Sequence, residues 1–341
     1  VAADIQAAFD KAMQAAAPLP ETVEEHVFAP AAVTVESGTR APAGKKKVMM
    51  VDAALHAVEE IMQQCPEAIF FGQDVGRRLG GVFREAATLG DKFGAHRVYN
   101  TAIQEAYIIG ATAGLSAAGV KPIVEIQFAD YIYPGLNQLV TEISKSCYLT
   151  NGKYPVQALI RVPVGAYGGG GPYHSGSVES TLLSIKGIKV VYPSNAADMK
   201  GLMKAAFLDP NPVLMLEHKG LYWSKVPGPL QAMSVEPAAD YLLPLGKGAV
   251  VQRAHPRDVE KGNALCIITY GMGVYWAKAA ASAFPGHVTI VDLRSLFPLD
   301  EALVYDTVKK HGRCLVLTEE QLSNSFAEAL AGRIQQHCFR F

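Results

Sequence analysis

Short, nearly continuous apolar runs recur along this chain at 68–72, 123–128, 156–162, 189–192 and 213–217. Runs of that length without alternation predict strands buried on both faces. Between them the apolar positions fall at helical spacing, which predicts helices over 51–64, 101–119, 131–148 and 196–208. Helices alternating with apolar strands imply a parallel sheet covered on both sides. After a stretch with several Pro and Gly the pattern restarts, with strands at 265–270, 288–293 and 314–318 separated by helices. The fold class is therefore α/β, with a parallel-sheet domain over 48–225, a linker over 226–247 and a smaller C-terminal α/β domain over 248–341. That second domain stops just after a helix, where another strand is expected. Residues 1–16 suit a short amphipathic helix. Residues 18–47 have no period, are rich in Pro, Ala and charge, and read as a linker.

Composition changes the picture mainly by exclusion. With 341 residues, 50% of them hydrophobic, the chain can build two cores. A net charge of -1 removes the electrostatic reason to expect nucleic acid or an anionic membrane as partner. No apolar run approaches the roughly 20 residues of a membrane span, and the mixed-charge N-terminus is unlike an export signal. Cys65, Cys147, Cys266, Cys314 and Cys338 are scattered without a CxxC pair, which fits reduced thiols in a cytoplasmic-type compartment.

Three motifs carry candidate chemistry. Gly271-Met-Gly273 with Asp292 partly matches a dinucleotide fingerprint, but Trp276 stands where the third glycine should allow close helix packing. Two glycines in a strand-to-helix turn are common in any α/β domain. The run Gly165-Ala-Tyr-Gly-Gly-Gly-Gly-Pro-Tyr-His-Ser175 could be a flexible surface turn. It follows an apolar, central strand, however, so it lies at the strand's carboxyl end, where open α/β sheets place ligands, and it delivers the imidazole of His174 there. Finally, Thr101 and Gln104 make a capping box, with Glu105 in the first turn of the following helix. That helix is apolar on every face and is expected to be buried, so Glu105 is a candidate acid at its mouth.

These motifs, in order, resemble the beta subunits of 2-oxo acid dehydrogenase decarboxylating components, within the wider transketolase-like group. The resemblance rests on Arg97-Val-Tyr-Asn-Thr-Ala-Ile-Gln-Glu105, Glu125-Ile-Gln-Phe-Ala-Asp-Tyr131, the 165–175 loop, Gly187-Ile-Lys-Val-Val-Tyr-Pro-Ser194 and Val291-Asp-Leu-Arg-Ser-Leu-Phe-Pro-Leu-Asp300. It covers about 48–341, and 123–133 look closer to the branched-chain enzymes than to pyruvate enzymes. It implies a transketolase-like, thiamin pyrimidine-binding domain over 48–225 and a transketolase C-terminal-like domain, cut short, over 248–341. The implied activity is thiamin-diphosphate-dependent oxidative decarboxylation of a 2-oxo acid, with acyl transfer to lipoyl-lysine of a partner acyltransferase. Glu105 matches the glutamate that bonds the pyrimidine ring nitrogen, and His174 a histidine acting in acyl transfer. Ile103, Gln127, Tyr131 and Gln73 fall at the implied cofactor-binding positions. A potassium-type cation site of backbone carbonyls is implied at Ala158, Leu159, Ala206, Asp209 and Asn211.

Residues 1–47 look like the tail of the family's alpha half and a linker. The alpha half carries a GDG motif that holds diphosphate through Mg2+. No GDG occurs in this sequence, so the resemblance makes an alpha half the expected partner, beside a second beta copy in an alpha2beta2 assembly. Two positions depart from the family: Gln73 stands where Glu is common, and 319–325 lack the expected glycine-rich turn. Two rival readings are a transketolase or deoxyxylulose-phosphate synthase fragment and a non-catalytic assembly subunit. Phosphosugar users need basic residues near the site, and 163–177 has no Lys or Arg. A purely structural helix start would be served as well by Gln as by Glu105.

Overall fold

The computed structural model describes every residue except 77, 78, 85, 168, 169 and 224–228. Two of the four loop glycines and the expected start of the second linker thus lie outside the described residues. In chain order the strands are β1 (Lys47–Val48), β2 (Ala68–Gly72), β3 (Val98–Asn100), β4 (Lys121–Glu125), β5 (Ala158–Val164), β6 (Lys189–Val191) and β7 (Pro212–His218). They continue as β8 (Ser234–Val235), β9 (Ala249–Gln252), β10 (Leu265–Thr269), β11 (Val288–Asp292), β12 (Ser295–Phe297) and β13 (Cys314–Leu317).

A seven-stranded sheet runs in the order β12-β6-β7-β5-β4-β2-β3, and a four-stranded one in the order β13-β10-β11-β9. The pairs are parallel except at the edges, where β12 and β9 run antiparallel to their neighbours. Every residue of β5 and β7 is buried, as contiguous apolar runs require of strands covered on both faces. One core packs the Met50–Gln64 and Ala196–Leu208 helices on one side of the large sheet. The other continues from Ile108, Ile160 and Leu182 into Ile268 of the second sheet and Val304 and Leu330 of the Glu301–His311 and Phe326–Cys338 helices, joining the two units. β12 adds to this join, because it follows β11 in the chain yet extends the first sheet.

The Ala196–Leu208 helix is buried almost throughout even though it carries Asp198, Lys200 and Lys204. Each of these charges is paired, as burial demands. Lys200 Nζ lies 2.6 Å from Glu60 and 3.1 Å from Glu236, Lys204 Nζ lies 2.9 Å from Glu60, and Asp198 takes Arg40 at 2.6 Å and Arg294 at 2.8 Å. Asn195 caps the helix by accepting the Asp198 amide at 3.0 Å.

Several expectations are corrected. The 101–119 helix spans Glu105–Ala117 and fully buries only Ile108, Ile109 and Thr112; most of its other residues are half-buried, and Tyr107, Gly114 and Ala117 are exposed. The 131–148 helix is a succession of short turns, because Tyr133-Pro134-Gly135 interrupts it before Leu136. The 18–47 segment is docked rather than loose. Ala29 exchanges hydrogen bonds with the Asn211 side chain at 2.7 and 2.8 Å, and Arg40 reaches Asp198 and the Tyr241 hydroxyl. Its end, β1, pairs with β8, which pins the expected second linker as well. The Ala2–Met13 helix buries no residue. Among the described residues no helix is long and apolar enough to cross a membrane.

Candidate functional site

The carboxyl ends of β2, β4, β5 and β7 converge on one face of the large sheet, where a parallel sheet presents its loops. Beneath them lies a buried ion triad across three adjacent strands. Arg161 on β5 makes two 2.8 Å bonds to Glu217 on β7 and a 3.3 Å bond to Glu125 on β4. The Tyr222 hydroxyl donates to Glu217 at 2.7 Å. A charged girder of this kind fixes the strand ends relative to one another, and the site loops leave from those ends.

Glu105 opens its helix at the edge of this face. The capping box does not form: Thr101 Oγ1 donates to the Ala102 carbonyl, and Gln104, the N-cap, makes no side-chain cap bond. Glu105 is bonded by Gln73, whose amide Nε2 donates to Oε1 at 3.0 Å. Gln73 is buried just past β2, so it holds the carboxylate without carrying a charge. The next residue, Asp74, accepts from Gln127 Nε2 at 3.0 Å, which ties the end of β2 to the end of β4. A Cβ at Gly135 would sit 3.3 Å from the Glu105 carbonyl oxygen, so the turns after Tyr131 pack directly on this helix start.

The second cluster forms where the 165–176 loop meets the β4 end. The Tyr131 hydroxyl lies 2.8 Å from His174 Nε2, and His174 Nδ1 lies 2.8 Å from the Gly170 carbonyl. A carbonyl only accepts, so Nδ1 carries the proton, and in the neutral ring Nε2 accepts the phenol hydrogen. Phe128 stands edge-on to His174 with ring centroids 4.4 Å apart. The Lys219 ammonium bonds the His174 carbonyl and lies 5.1 Å from the centre of the Phe128 ring. Burial lowers the Lys219 pKa, opposed by Asp130 and Glu319. Ile103, two residues before Glu105, is an apolar side chain left 85% exposed.

Glu105 and Gln73, then Gln127, and then Tyr131 and His174 thus stand in contact pairs along one row of strand ends. Asp74, Phe128 and Lys219 belong to the same row, and sequence reasoning missed them. Phe128 and Asp130 flank positions that were singled out, but only the fold brings Asp74 and Lys219 there, from 53 residues before Gln127 and 45 after His174. The implied cation turn is arranged differently from a bare ring of carbonyls. Lys189 Nζ sits 2.7 Å from Asp209 Oδ2, and Asp209 Oδ1 takes the Asn211 backbone amide at 3.0 Å and its side-chain amide at 2.7 Å. Ala158 and Leu159 pair with Pro212 and Val213 in the ladder, and the Ala206 carbonyl accepts from Asp209 at 3.3 Å. The dinucleotide-like turn is explained by packing. A Cβ at Gly273 would fall 2.1 Å from Thr269 Oγ1, one at Gly271 2.5 Å from Tyr192, and buried Asp292 bonds Ser194 and the Arg294 amide.

Both units of the chain are similar to those of known proteins. The transketolase pyrimidine-binding domain matches residues 46–224, and the transketolase C-terminal domain residues 255–341. The 2-oxoisovalerate dehydrogenase subunit beta of Pseudomonas aeruginosa is 39% identical, over 85% of this chain and 83% of its own length. Its namesake from Bacillus subtilis is 37% identical over 84% of each chain. The pyruvate dehydrogenase E1 component subunit beta of Acholeplasma laidlawii is 34% identical over 86% of this chain and 85% of its own. A solved structure titled split gene transketolase, inactive beta4 tetramer, shares the fold at a TM-score of 0.63 and 19% identity, over 85% of this chain and 86% of that one. The chain belongs to the family of 2-oxo acid dehydrogenase beta subunits, built on the transketolase pyrimidine-binding and C-terminal domains.

Proposed function

We propose that this chain is the pyrimidine-binding half of a thiamin-diphosphate-dependent 2-oxo acid dehydrogenase, acting on branched-chain 2-oxo acids and passing the acyl group to lipoyl-lysine of a partner acyltransferase. The observation that carries the reading is the Glu105 carboxyl at a helix start, held by the Gln73 amide on one oxygen and free of described bonds on the other. Those residues fit an aminopyrimidine: a carboxyl for the ring nitrogen, with Ile103 and Tyr131 as apolar flanks. Thiamin diphosphate, when bound, supplies the nucleophile and electron sink for decarboxylation.

Gln73 can only donate to Oε1, so a proton carried by Glu105 sits on Oε2, the oxygen left for the pyrimidine. Glu105 holds or releases that proton at the ring nitrogen. His174 has Nδ1 committed to Gly170, so Nε2, backed by the Tyr131 hydroxyl, is where it exchanges a proton with the incoming lipoyl group. Phe128 and Lys219 hold the imidazole and its backbone in place.

The reading includes an alpha half that holds the diphosphate and Mg2+. Among the described residues no group of three His, Cys, Asp or Glu could hold a metal ion. It also includes a second beta copy covering the exposed and half-buried small residues of the Glu105–Ala117 helix, in an alpha2beta2 assembly. The relatives' naming as subunits and their occurrence in bacteria support such a complex in a bacterial cytoplasm. At the 206–211 turn a potassium ion would use backbone carbonyls, because Lys189 and Asn211 occupy the Asp209 carboxylate. The test is a substrate panel on the reconstituted alpha-plus-beta enzyme with its lipoyl acyltransferase. Branched-chain 2-oxo acids should be turned over faster than pyruvate. Ketose transfer between sugar phosphates, without 2-oxo acid turnover, would overturn the proposal.

A further inference from the structure

Consecutive glutamates just after β13 reach from the second sheet into the first. Glu319 Oε1 accepts the Ala166 amide at 2.9 Å, and Oε2 lies 2.7 Å from His218 Nε2. Glu320 accepts the Ser180 amide at 2.7 Å and the Phe326 amide at 2.8 Å. His218 is fully buried at the end of β7, and its Nδ1 accepts the Gly220 amide at 3.1 Å. The proton is therefore on Nε2, and a neutral imidazole donates to Glu319. Burial raises the Glu319 pKa, but the bonds from His218 and Ala166 outweigh it, so the carboxyl lies below its ordinary value and stays ionised.

Both of these contacts fall on the neck of the loop that carries His174. Gly165 has φ +91, and a Cβ there would come within 2.3 Å of His218 Nε2, so the backbone lies directly on the imidazole. The neck is closed by the Gly165 amide on the Gly176 carbonyl at 3.1 Å, and the far side is fixed by the Gly176 amide on Asp130 at 2.9 Å. One side of the loop is thus anchored within the first unit, and the other by a carboxylate from the second. These anchors place the neck, and Tyr131, Phe128 and Lys219 then hold the ring and its backbone, so both together set where the imidazole stands.

We propose that Glu319 is a positioning residue: through Ala166 and His218 it fixes the neck of the 165–176 loop from the C-terminal sheet, and so sets the place of His174 for acyl transfer. This rests on the role given to His174 above. It makes the second domain part of the transfer half-reaction while leaving decarboxylation to the Glu105 corner.

The test is Glu319→Gln in the reconstituted alpha-plus-beta holoenzyme. Glutamine can keep the Ala166 bond, but its amide then faces the Nε2 proton of His218, donor against donor. Peptides covering the loop neck should exchange deuterium about tenfold faster. Lipoyl-coupled kcat should fall about tenfold or more, while oxidation of the 2-oxo acid with an artificial electron acceptor stays within about twofold. His218→Gln, which touches only one of the two contacts, should give a smaller change of the same kind and serves if Glu319→Gln does not fold. His174→Ala is measured beside them. Unchanged lipoyl-coupled turnover in His174→Ala removes the role of His174 itself. Loss in His174→Ala with unchanged loop exchange and turnover in both other variants overturns the Glu319 inference alone, as does equal loss with both acceptors.

Discussion

Arg161→Met should cost this protein about 3–5 kcal/mol of stability, the usual price of breaking a buried ion pair from one side. The guanidinium meets Glu217 at 2.8 Å through two nitrogens and Glu125 at 3.3 Å, and all three side chains are about 1% exposed or less. At an effective dielectric of about 20, each ion pair attracts by roughly 5–6 kcal/mol, which desolvation of several kcal/mol per ion largely offsets. Methionine fills much of the space but takes the guanidinium away from buried Glu217 and Glu125, so the penalty is carboxylate desolvation that the guanidinium no longer offsets. Adding Glu217→Gln should therefore recover at least about 1–2 kcal/mol, because it removes the carboxylate that the guanidinium bonded twice. Guanidinium denaturation of the full chain, followed by tryptophan fluorescence, reads both numbers from the shift in midpoint. A loss below about 1 kcal/mol for Arg161→Met, or a double variant no better than the single one, would refute the reasoning.

Glu179 gives a pH dependence. Burial, reinforced by Glu320 and Glu319, pushes its carboxyl up from 4.5 to about 8. The unfolded chain loses that proton near 4.5 and the folded chain keeps it, so the stability contribution is full below 4.5 and is lost as pH rises towards 8. Glu179→Gln stays neutral in both states, so its melting temperature relative to the parent should rise across that window, and a pH-independent difference would contradict the assignment. Gln73→Glu places a second carboxyl 3.0 Å from Glu105. The two carboxyls then compete for one proton, and the acid limb of the pH–rate profile of the alpha-plus-beta enzyme should move up by about one pH unit or more. An unmoved limb would show that Gln73 does not govern the Glu105 carboxyl.

Most of the sheet was legible in the sequence because it is parallel and doubly covered. Strands such as 68–72 and 213–217 announce themselves as apolar runs, and β2 and β7 lie within a residue of those bounds at each end. The 196–208 helix falls at its predicted bounds, since Asn195 caps it and Asp209-Pro210 stops it. β3 and β12 were missed because three residues at a sheet edge carry too little pattern to read. The all-round apolar character of 101–119 was read as burial, whereas only Ile108, Ile109 and Thr112 of that helix are fully buried in the single chain and most of the rest is half-buried. At the site, the motifs located Glu105, Tyr131 and His174 but not the bonds among them. Tyr131 and His174 are 43 residues apart, and Glu319 is 101 residues from His218, so only the fold makes them partners. The missed residue with a local signal is Phe128, an aromatic inside the same motif as Gln127 and Tyr131.

The central claim is that Glu105 serves the cofactor and is not merely a helix-end charge. Its described side-chain bond is to Gln73, not to a helix amide, which leaves only dipole complementarity, about 0.3–1 kcal/mol, as a structural role. The most direct measurement is hydrogen–deuterium exchange at the reactive carbon of thiamin diphosphate bound to the alpha-plus-beta enzyme carrying Glu105→Gln, with a thermal melt of the same protein. The amide keeps the shape and can still accept from Gln73, but it cannot hold or release a proton at the ring nitrogen. Exchange should slow by about 10² to 10⁴, the range for one positioned acid–base group, with the melt nearly unchanged. Unchanged exchange with a lowered melt would contradict it and leave Glu105 as a structural residue.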